Sequence, residues 1–303
     1  VRGNRIHDMV GTGVECVQTF VDEPPRCVNA TIIDNTIWSI DGWGVWVWGD
    51  GNRVIGNDIS RVFAVSHQDA DAIRFFGSNH EFRGNYIHDI YESDAADGLD
   101  PHSDCFQSYD VEANYAALEN IVIADNVCST DRHGVIITQL RGLPASNIRI
   151  ENNVFESNGA AVGLLLGDGG GPNIQYSGVT LAINIITGQI EFNGIQAYNG
   201  ENVDMFNNVF YGDFYPFTGP SLDESRGSST DNNVEAVPED FADIDNPDVR
   251  ERYRPSAGAA TVDAGQDANA PTTDLDGNPR PVDGTGDGQP VTDVGPYEYS
   301  AVP

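Results

Sequence analysis

The chain contains no lysine, so arginine supplies all 15 of its basic residues against 47 acidic ones. The formal net charge of −32 at pH 7 repels nucleic-acid phosphates and anionic lipid headgroups, which argues against both as partners. An acidic excess of this size is typical of proteins kept soluble in strong brine, where salt screens the self-repulsion. The four Trp and 13 Phe argue against an acidic disordered chain.

The sequence also lacks an apolar run long enough to cross a membrane, a secretory signal in this numbering, and any C-x-x-C spacing. We therefore expect no membrane insertion, a mature soluble form, and no metal site built from cysteine pairs. Four cysteines allow three disulfide pairings, one of which joins Cys16 to Cys27 and Cys105 to Cys128. Disulfides predict an oxidising, extracellular or cell-surface location.

Short apolar segments that end in asparagine recur along the chain. Eight such rows end at Asn4, Asn35, Asn57, Asn85, Asn126, Asn153, Asn184 and Asn208. Their irregular spacing of 22 to 41 residues indicates a solenoid with constant strands and variable loops. Frequent β-branched residues, glycines and asparagines, with little helical periodicity, favour strands throughout.

We predict an all-β fold, a right-handed parallel β-helix of about eight coils, because each coil is too short to bury its own apolar face. The asparagines would form an internal ladder with a structural role. A propeller is disfavoured because the rows lack a regular blade length. The β-helix is expected over 1–218, with an irregular closing segment over 219–303 that packs on it and covers the open end with Tyr297 and Tyr299.

A second strand in each coil aligns on inward apolar residues, which are Val45, Ile73, Phe106, Val135, Val162 and Ile195. Because side chains alternate along a strand, the following residue of each points outward. This outward column is Trp46, Arg74, Gln107, Ile136, Gly163 and Gln196, with Trp48, Phe76, Tyr109 and Thr138 two residues further on. The bend before the strand carries Trp43, Asp71, Asp104, His133, Ala160 and Asn193. Polar and aromatic residues concentrate between Trp43 and Thr138, which predicts a functional surface there.

Three aspartates, Asp69, Asp71 and Asp104, fall before this strand in two consecutive coils, which lie about 4.8 Å apart. Carboxylate oxygens at that spacing suit Ca²⁺, and a cation would relieve their mutual repulsion. The alternative is that they are ordinary turn residues, since aspartate is common at bends. We predict a Ca²⁺ cofactor bound by these three side chains.

His102 and His133 fall in adjacent coils beside carboxylates and Arg132, and histidine is the side chain whose proton moves near neutral pH. Asp100-Pro-His102 resembles the catalytic motif of mannuronan C5-epimerases, right-handed β-helix enzymes that act on alginate, and Asp131-Arg-His-Gly134 resembles a second stretch of their groove. The resemblance implies that Asp100 and His102 are catalytic and that Arg132 and His133 hold the uronate. The chain departs from that family at Asp97, where the epimerases have a tyrosine.

The acidic face also looks like the calcium site of β-helix polysaccharide lyases, in which the ion bridges to the uronate carboxylate of the substrate. Proton abstraction beside a carboxylate requires that its charge be neutralised, by Arg74, Arg132 or a cation, and that a base stand next to the carbon. His102 or His133 can be that base, and Tyr109 can return a proton. Reprotonation from the opposite face gives an epimer, and loss of the 4-linked sugar gives a lyase product.

We therefore predict a secreted enzyme that abstracts the C5 proton of an acidic, uronate-containing polysaccharide. An exposed aromatic run predicts its substrate-binding groove, with Arg74 and Gln107 alongside. The run is Trp43, Trp46, Trp48 and Phe76. Two alternatives stay open: a glycoside hydrolase that uses two aspartates as acid and base, and a non-catalytic glycan binder or rigid appendage. The negative charge of the protein opposes a polyuronate unless salt or bridging cations intervene.

Overall fold

The structure, a computed structural model, describes residues 1–17, 27–66, 69–96, 98, 101–109, 118–138, 145–157, 162–167, 176–187, 189–191, 200–212, 227 and 229–301. Within these ranges, 23 strands pair in parallel into one continuous sheet that winds through three stacks. Helix is confined to α1 (Val249–Arg252) and one-turn 3-10 segments at Glu92–Asp94 and Pro238–Asp240 among the described residues. None of these helices has the length and apolar character needed to cross a membrane.

The strands are numbered in chain order and fall into stacks A, B and C. Stack B holds the first halves of β1 (Arg5–Cys16) and β4 (Thr36–Asp50), then β6 (Asp58–Phe63), β9 (Tyr86–Ile90), β12 (Val127–Thr130), β15 (Val154–Ser157), β18 (Ile185–Thr187), β21 (Val209–Tyr211) and β23 (Val234–Glu235). Stack C holds the second halves of β1 and β4, then β7 (Ile73–Ser78), β10 (Phe106–Tyr109), β13 (Val135–Thr138), β16 (Val162–Gly167) and β19 (Gln189–Glu191), with β2 (Cys27–Val28) beside the end of β4. Stack A holds β3 (Thr31–Ile33), β5 (Arg53–Ile55), β8 (Glu81–Arg83), β11 (Leu118–Ala124), β14 (Ala145–Glu151), β17 (Tyr176–Ala182), β20 (Gly200–Phe206) and β22 (Ser229–Asp231).

This arrangement confirms the predicted all-β parallel β-helix, with slightly fewer complete coils than the eight predicted. The asparagine ladder is confirmed as well, because the side-chain oxygen of each asparagine accepts from the backbone and side-chain nitrogens of the one before it. Typical distances are 3.0 Å from Asn57 N to Asn85 Oδ1 and 2.9 Å from Asn126 N to Asn153 Oδ1. The ladder satisfies polar groups that the tight turn between stacks A and B would otherwise leave buried and unpaired.

The residue before each ladder asparagine turns the chain, and it has a positive φ in rows such as Asp34, Gly56 and Asp125. Glycine, aspartate and asparagine tolerate this left-handed conformation best, which explains why they dominate that position. Gly77, near the end of β7 in stack C, is required for a second reason. At φ +105°, a Cβ there would lie 2.0 Å from the carbonyl oxygen of Gly49 in the coil below.

Inward side chains from the three stacks form a single apolar core along the solenoid axis. Its centre is a run of aromatic rings in which Phe75 lies 4.7 Å from Phe82, and Phe82 lies 5.9 Å from Phe106. Each coil buries these rings only against its neighbours, so the stacking itself supplies the hydrophobic stabilisation.

Parallel strand pairing continues past residue 218, where the β-helix was predicted to end. β22 pairs with β20 and β23 pairs with β21, and Asn208 donates from its backbone and side chain to Asn233, which is a ninth ladder residue. The row at Thr230-Asp-Asn-Asn233 has a threonine where earlier rows carry a larger apolar residue, which hid it in the sequence.

The C-terminal segment packs along the flank of the solenoid. Val127, Val154, Ile185 and Val209 form an outward apolar column on stack B, and Phe241, Val249, Tyr253, Val294 and Tyr297 cover it. Buried Glu156 on β15 anchors this contact by accepting from Tyr253 Oη at 2.6 Å, from Arg252 and from Ser129 Oγ at 2.8 Å. Covering the column removes apolar area from water, which an end cap alone would leave exposed.

Both neighbouring cysteine pairs form disulfides, Cys16 with Cys27 and Cys105 with Cys128. The second joins the residue before β10 to β12 of the next coil and thereby ties the two coils together. Two disulfides are consistent with the predicted extracellular location.

Candidate active site

One outward surface concentrates the polar and aromatic side chains, and we call it the polar face. It is formed by stack C and the bends that precede its strands, and it comprises Trp43, Trp46, Asp69, Asp71, Arg74, Asp104, Gln107, Tyr109 and His133. The sheet register brings these residues together, since Arg74 lies between Trp46 and Gln107. At the bend, Ala72 N donates to Asp104 O and Cys105 N donates to His133 O, which sets Asp71, Asp104 and His133 side by side.

The predicted inward column is confirmed through Val45, Ile73, Phe106 and Val135. It fails at the next coil, where Val135 pairs with Leu164 and Ile136 with Leu165, so the expected positions of Val162 and Gly163 are wrong by two residues. The bends and strand residues proposed at Ala160, Asn193, Ile195 and Gln196 lie outside the described residues.

Arg74 is the centre of the polar face and is only 4% exposed. Its Nε donates to Asp71 Oδ2 at 2.6 Å, and its Nη2 donates to Asp69 Oδ2 and Gln107 Oε1, each at 2.6 Å. Its Nη1 reaches the Tyr109 hydroxyl at 3.3 Å. The guanidinium carbon also lies 4.7 Å from the Trp43 ring centre, a cation–π contact. Burial lowers the pKa of Arg74, but Asp71, Tyr109 and Asp69 outweigh it and raise the pKa, so the guanidinium keeps its charge.

Asp71 is fully buried beside this guanidinium, and its Oδ1 has no hydrogen-bond partner among the described residues. Burial raises the pKa of its carboxyl well above the usual range; Arg74 opposes the rise, and the carboxylates of Asp104 and Asp69 add to it. Burial is the main cause, and a local excess of negative charge adds to it, because three carboxyl groups surround one guanidinium.

Asp104 and His133 form a second unit of the polar face. Asp104 Oδ1 lies 2.6 Å from His133 Nδ1, and Gln107 Nε2 donates to Asp104 Oδ2 at 2.9 Å. Gln107 therefore links this pair to Arg74 through the two ends of its amide. A carboxylate that holds Nδ1–H fixes the imidazole tautomer and leaves Nε2 as the nitrogen for proton transfer. Such a pair is an arrangement for general-base chemistry.

His102 lies at the edge of this unit, with its ring 5.6 Å from the His133 ring, and its backbone nitrogen is 3.4 Å from Asp69 Oδ1. Arg132 Nη1 donates to Glu92 and, at 3.3 Å, to Pro101 O, which brings Arg132 beside the His102 segment. Asp100, predicted to be catalytic, lies outside the described residues.

The aromatic residues are less exposed than predicted. Trp43, Trp46 and Trp48 are half-buried, but Phe76 is only 2% exposed and therefore is not part of a surface run. Phe76 packs edge-on between Trp48, at 5.9 Å, and Tyr109, at 5.1 Å. Arg74 and Gln107 do point outward as predicted, but the side chains around them bury both.

Comparison with known proteins gives the same architecture. The family described as a right-handed beta helix region matches residues 25–210. The chain belongs to the right-handed β-helix family. This right-handed β-helix protein is also similar to the crystal structure of pectate lyase Pel9A, with a TM-score of 0.57, 16% identity, and coverage of 96% of this chain and 70% of that one. At such low identity the likeness shows the fold. A search of the curated proteins found no match.

The carboxylates of this β-helix protein that we predicted to bind Ca²⁺ do not fit a calcium site in the observed arrangement. Arg74 engages Asp69 and Asp71, while His133 and Gln107 engage Asp104. Across the described part of the chain, no three acidic, histidine or cysteine side chains are grouped so that they could share a metal ion. The guanidinium of Arg74 lies where the Ca²⁺ ion was expected, and a Ca²⁺ cofactor stays a prediction.

Two features of the site differ from what we predicted from the sequence. Asp104 was assigned to a metal, although it and His133 occupy the same bend position in consecutive coils, a pattern that already predicts contact. Glu92, the partner of Arg132, was missed because it lies in a 3-10 segment outside every repeat row.

Proposed function

We propose that this β-helix protein is an extracellular or cell-surface enzyme that abstracts the C5 proton of uronate residues in a polysaccharide, as a lyase or an epimerase. The observation that carries the proposal is the Asp104–His133 pair, 2.6 Å apart, beside Arg74 and Tyr109 on one outward face. The likeness to pectate lyase Pel9A supports a polysaccharide lyase-like fold.

His133 is the proposed base. Asp104 holds its Nδ1, so Nε2 takes the C5 proton and the resulting imidazolium is stabilised by the same carboxylate. His102, whose ring contacts that of His133 edge-on, is the second histidine within reach of the same sugar. Of the residues that the epimerase resemblance singled out, His102, Arg132 and His133 act together in this proposal, with His133 as the base in place of His102.

Tyr109 is the proposed proton donor. Its hydroxyl oxygen accepts a hydrogen bond from Arg74 Nη1 at 3.3 Å, which orients the hydroxyl. Delivery of that proton to C5 from the face opposite the base completes an epimerisation. Delivery to O4 as the C4–O4 bond breaks completes a β-elimination and leaves a C4–C5 double bond.

Substrate binding is assigned to the half-buried indoles of Trp43, Trp46 and Trp48, which offer rigid apolar surface for sugar rings. Arg132, beside Pro101 and His102, is the more exposed guanidinium, with 24% of its side chain accessible, and is assigned to the polar side of the sugar.

The test is proton NMR of polymannuronate, alginate, polygalacturonate and pectin after incubation in D₂O at high salt, with the protein, with His133→Ala and with His102→Ala. Unsaturated ends establish a lyase, and a changed C5 configuration with deuterium at C5 establishes an epimerase. New reducing ends alone would make the protein a glycoside hydrolase. Unchanged spectra for every polymer would favour the non-catalytic glycan binder.

A further inference from the structure

The two guanidinium groups at the proposed site, among the residues that the structure describes, are already matched by carboxylates. Arg74 uses Nε, Nη1 and Nη2 to contact Asp71, Tyr109, Asp69 and Gln107. Its 4% exposure leaves no open side for a further anion. A substrate carboxylate can reach it only by displacing Asp69, whose side chain is 30% exposed.

Arg132 is matched in the same way. Its Nη1 donates to Glu92 and to the carbonyl oxygen of Pro101. The neighbouring Asp131 carboxylate accepts from Glu92 N at 2.9 Å through both oxygens, and burial raises its pKa. Each arginine at the site therefore has at least one carboxylate for its single charge.

The balance of charge around the site is negative. Two guanidinium groups face five described carboxyl groups, those of Asp69, Asp71, Glu92, Asp104 and Asp131. Even with Asp71 and Asp131 neutral, whose pKa values are raised by burial, three carboxylates face the two guanidinium groups. An anionic sugar carboxylate would enter this field against repulsion.

We infer that the site takes the uronate residue as its neutral ester, so that the substrate is an esterified uronan. This inference rests on the proposed function and names its substrate class. An ester carries no charge to be repelled, and its carbonyl makes the C5 proton more acidic than a free carboxylate does. No cation is then required to neutralise the substrate, in agreement with carboxylates that already bind Arg74 and His133.

The step balances without a further reactant. His133 Nε2 takes the C5 proton, and the C5–H electron pair moves into the C5–C6 bond as an ester enolate. Collapse of the enolate forms the C4–C5 double bond and expels the C4–O4 pair with the leaving sugar, whose oxygen receives a proton from Tyr109 or water. The ester itself is unchanged.

The experiment compares one galacturonan backbone at high and at zero methyl-esterification, with Ca²⁺ and with a chelator. Rates are read as absorbance of the conjugated double bond and as deuterium at C5. We expect a rate at least about tenfold higher on the esterified polymer, independent of Ca²⁺, with the preference shrinking as salt rises. An equal or higher rate on the free acid would overturn the inference and support the proposed function. No reaction on either polymer or on alginate would overturn both.

Asp69→Asn supplies the second arm, because it removes one carboxylate next to Arg74. It should raise the rate on the free acid relative to the ester by several-fold. Asp231→Asn, which makes the same charge change at an exposed residue of β22, should leave the ratio unaltered. A ratio that moves equally in both variants, or in neither, would contradict the role given to charge at the site.

Discussion

Replacement of Arg74 by methionine tests the electrostatic centre of the polar face independently of substrate. The change removes the partner of fully buried Asp71 while keeping most of the side-chain volume. Breaking a buried ion pair from one side costs about 3–5 kcal/mol, because the remaining charge is left uncompensated. We expect Arg74→Met to lower the free energy of unfolding by that amount at pH 8. Guanidinium denaturation followed by tryptophan fluorescence measures it, since Trp43 lies against the guanidinium.

The pH dependence of this loss has a definite sign. Arg74 lowers the pKa of Asp71, so its removal raises that pKa further above the ordinary value of 3.8. A raised folded-state pKa means that stability is retained at low pH and lost as pH rises through it. The loss should therefore be smaller near pH 4 than at pH 8.

Two further variants test whether the loss of stability comes from the charge left on Asp71. Adding Asp71→Asn to Arg74→Met should recover about 2 kcal/mol at pH 8, since the carboxylate that lost its partner is then also removed. Arg53→Met, at an arginine that is 52% exposed and paired with Glu81, should change stability by less than about 1 kcal/mol. An Arg74→Met protein as stable as Arg53→Met, or a double variant with no recovery, would refute the reasoning.

Three other outcomes follow from the structure. Asp104→Asn presents an amide N–H to His133 Nδ1 and so forces the imidazole proton onto Nε2. We expect kcat to fall about 10²–10⁴-fold with little change in KM. A fall of less than tenfold in the steady-state rate would contradict the assignment of His133 as the base. Glu156→Ala removes the shared acceptor of Arg252, Tyr253 and Ser129, and limited proteolysis should then release the C-terminal segment at least several-fold faster than in the exposed control Glu119→Ala. Burial raises the pKa of Asp293 to about 7, so the free energy of unfolding should decrease as pH rises from 3.8 towards that value. The decrease is at most about 1.4 kcal/mol per pH unit. Asp293→Asn should flatten this slope in denaturant titrations.

Much of the fold follows from local rules that the sequence displays directly. The turn before each ladder asparagine needs a residue that tolerates positive φ, and the asparagine needs the same partner in every coil, so both recur visibly. The inward register is predictable through Val135 because the bends at Asp71, Asp104 and His133 each contribute one recognisable polar residue. It is lost at Leu164, where Gly, Ala and Leu offer no such reference.

The site was harder to predict, because knowing which residues lie side by side does not show which side chains are buried or which charged groups pair. The sequence places Arg74 three residues after Asp71, but only the folded bend brings its outward-pointing guanidinium onto the carboxylates that seemed free for calcium. Phe76 follows the outward alternation correctly, yet its neighbours Trp48 and Tyr109 cover it. Both errors concern contacts between side chains, including those of neighbouring coils, which the sequence of a single coil does not reveal.

The central claim is that the polar face removes a proton from C5, and exchange at that carbon tests it most directly. An esterified uronan incubated in D₂O with the protein should acquire deuterium at C5 or lose the C5 hydrogen into a C4–C5 double bond, and His133→Ala should abolish both. A substrate that reacts while every C5–H is retained, or a His133→Ala protein that exchanges C5 at the parent rate, would contradict the account.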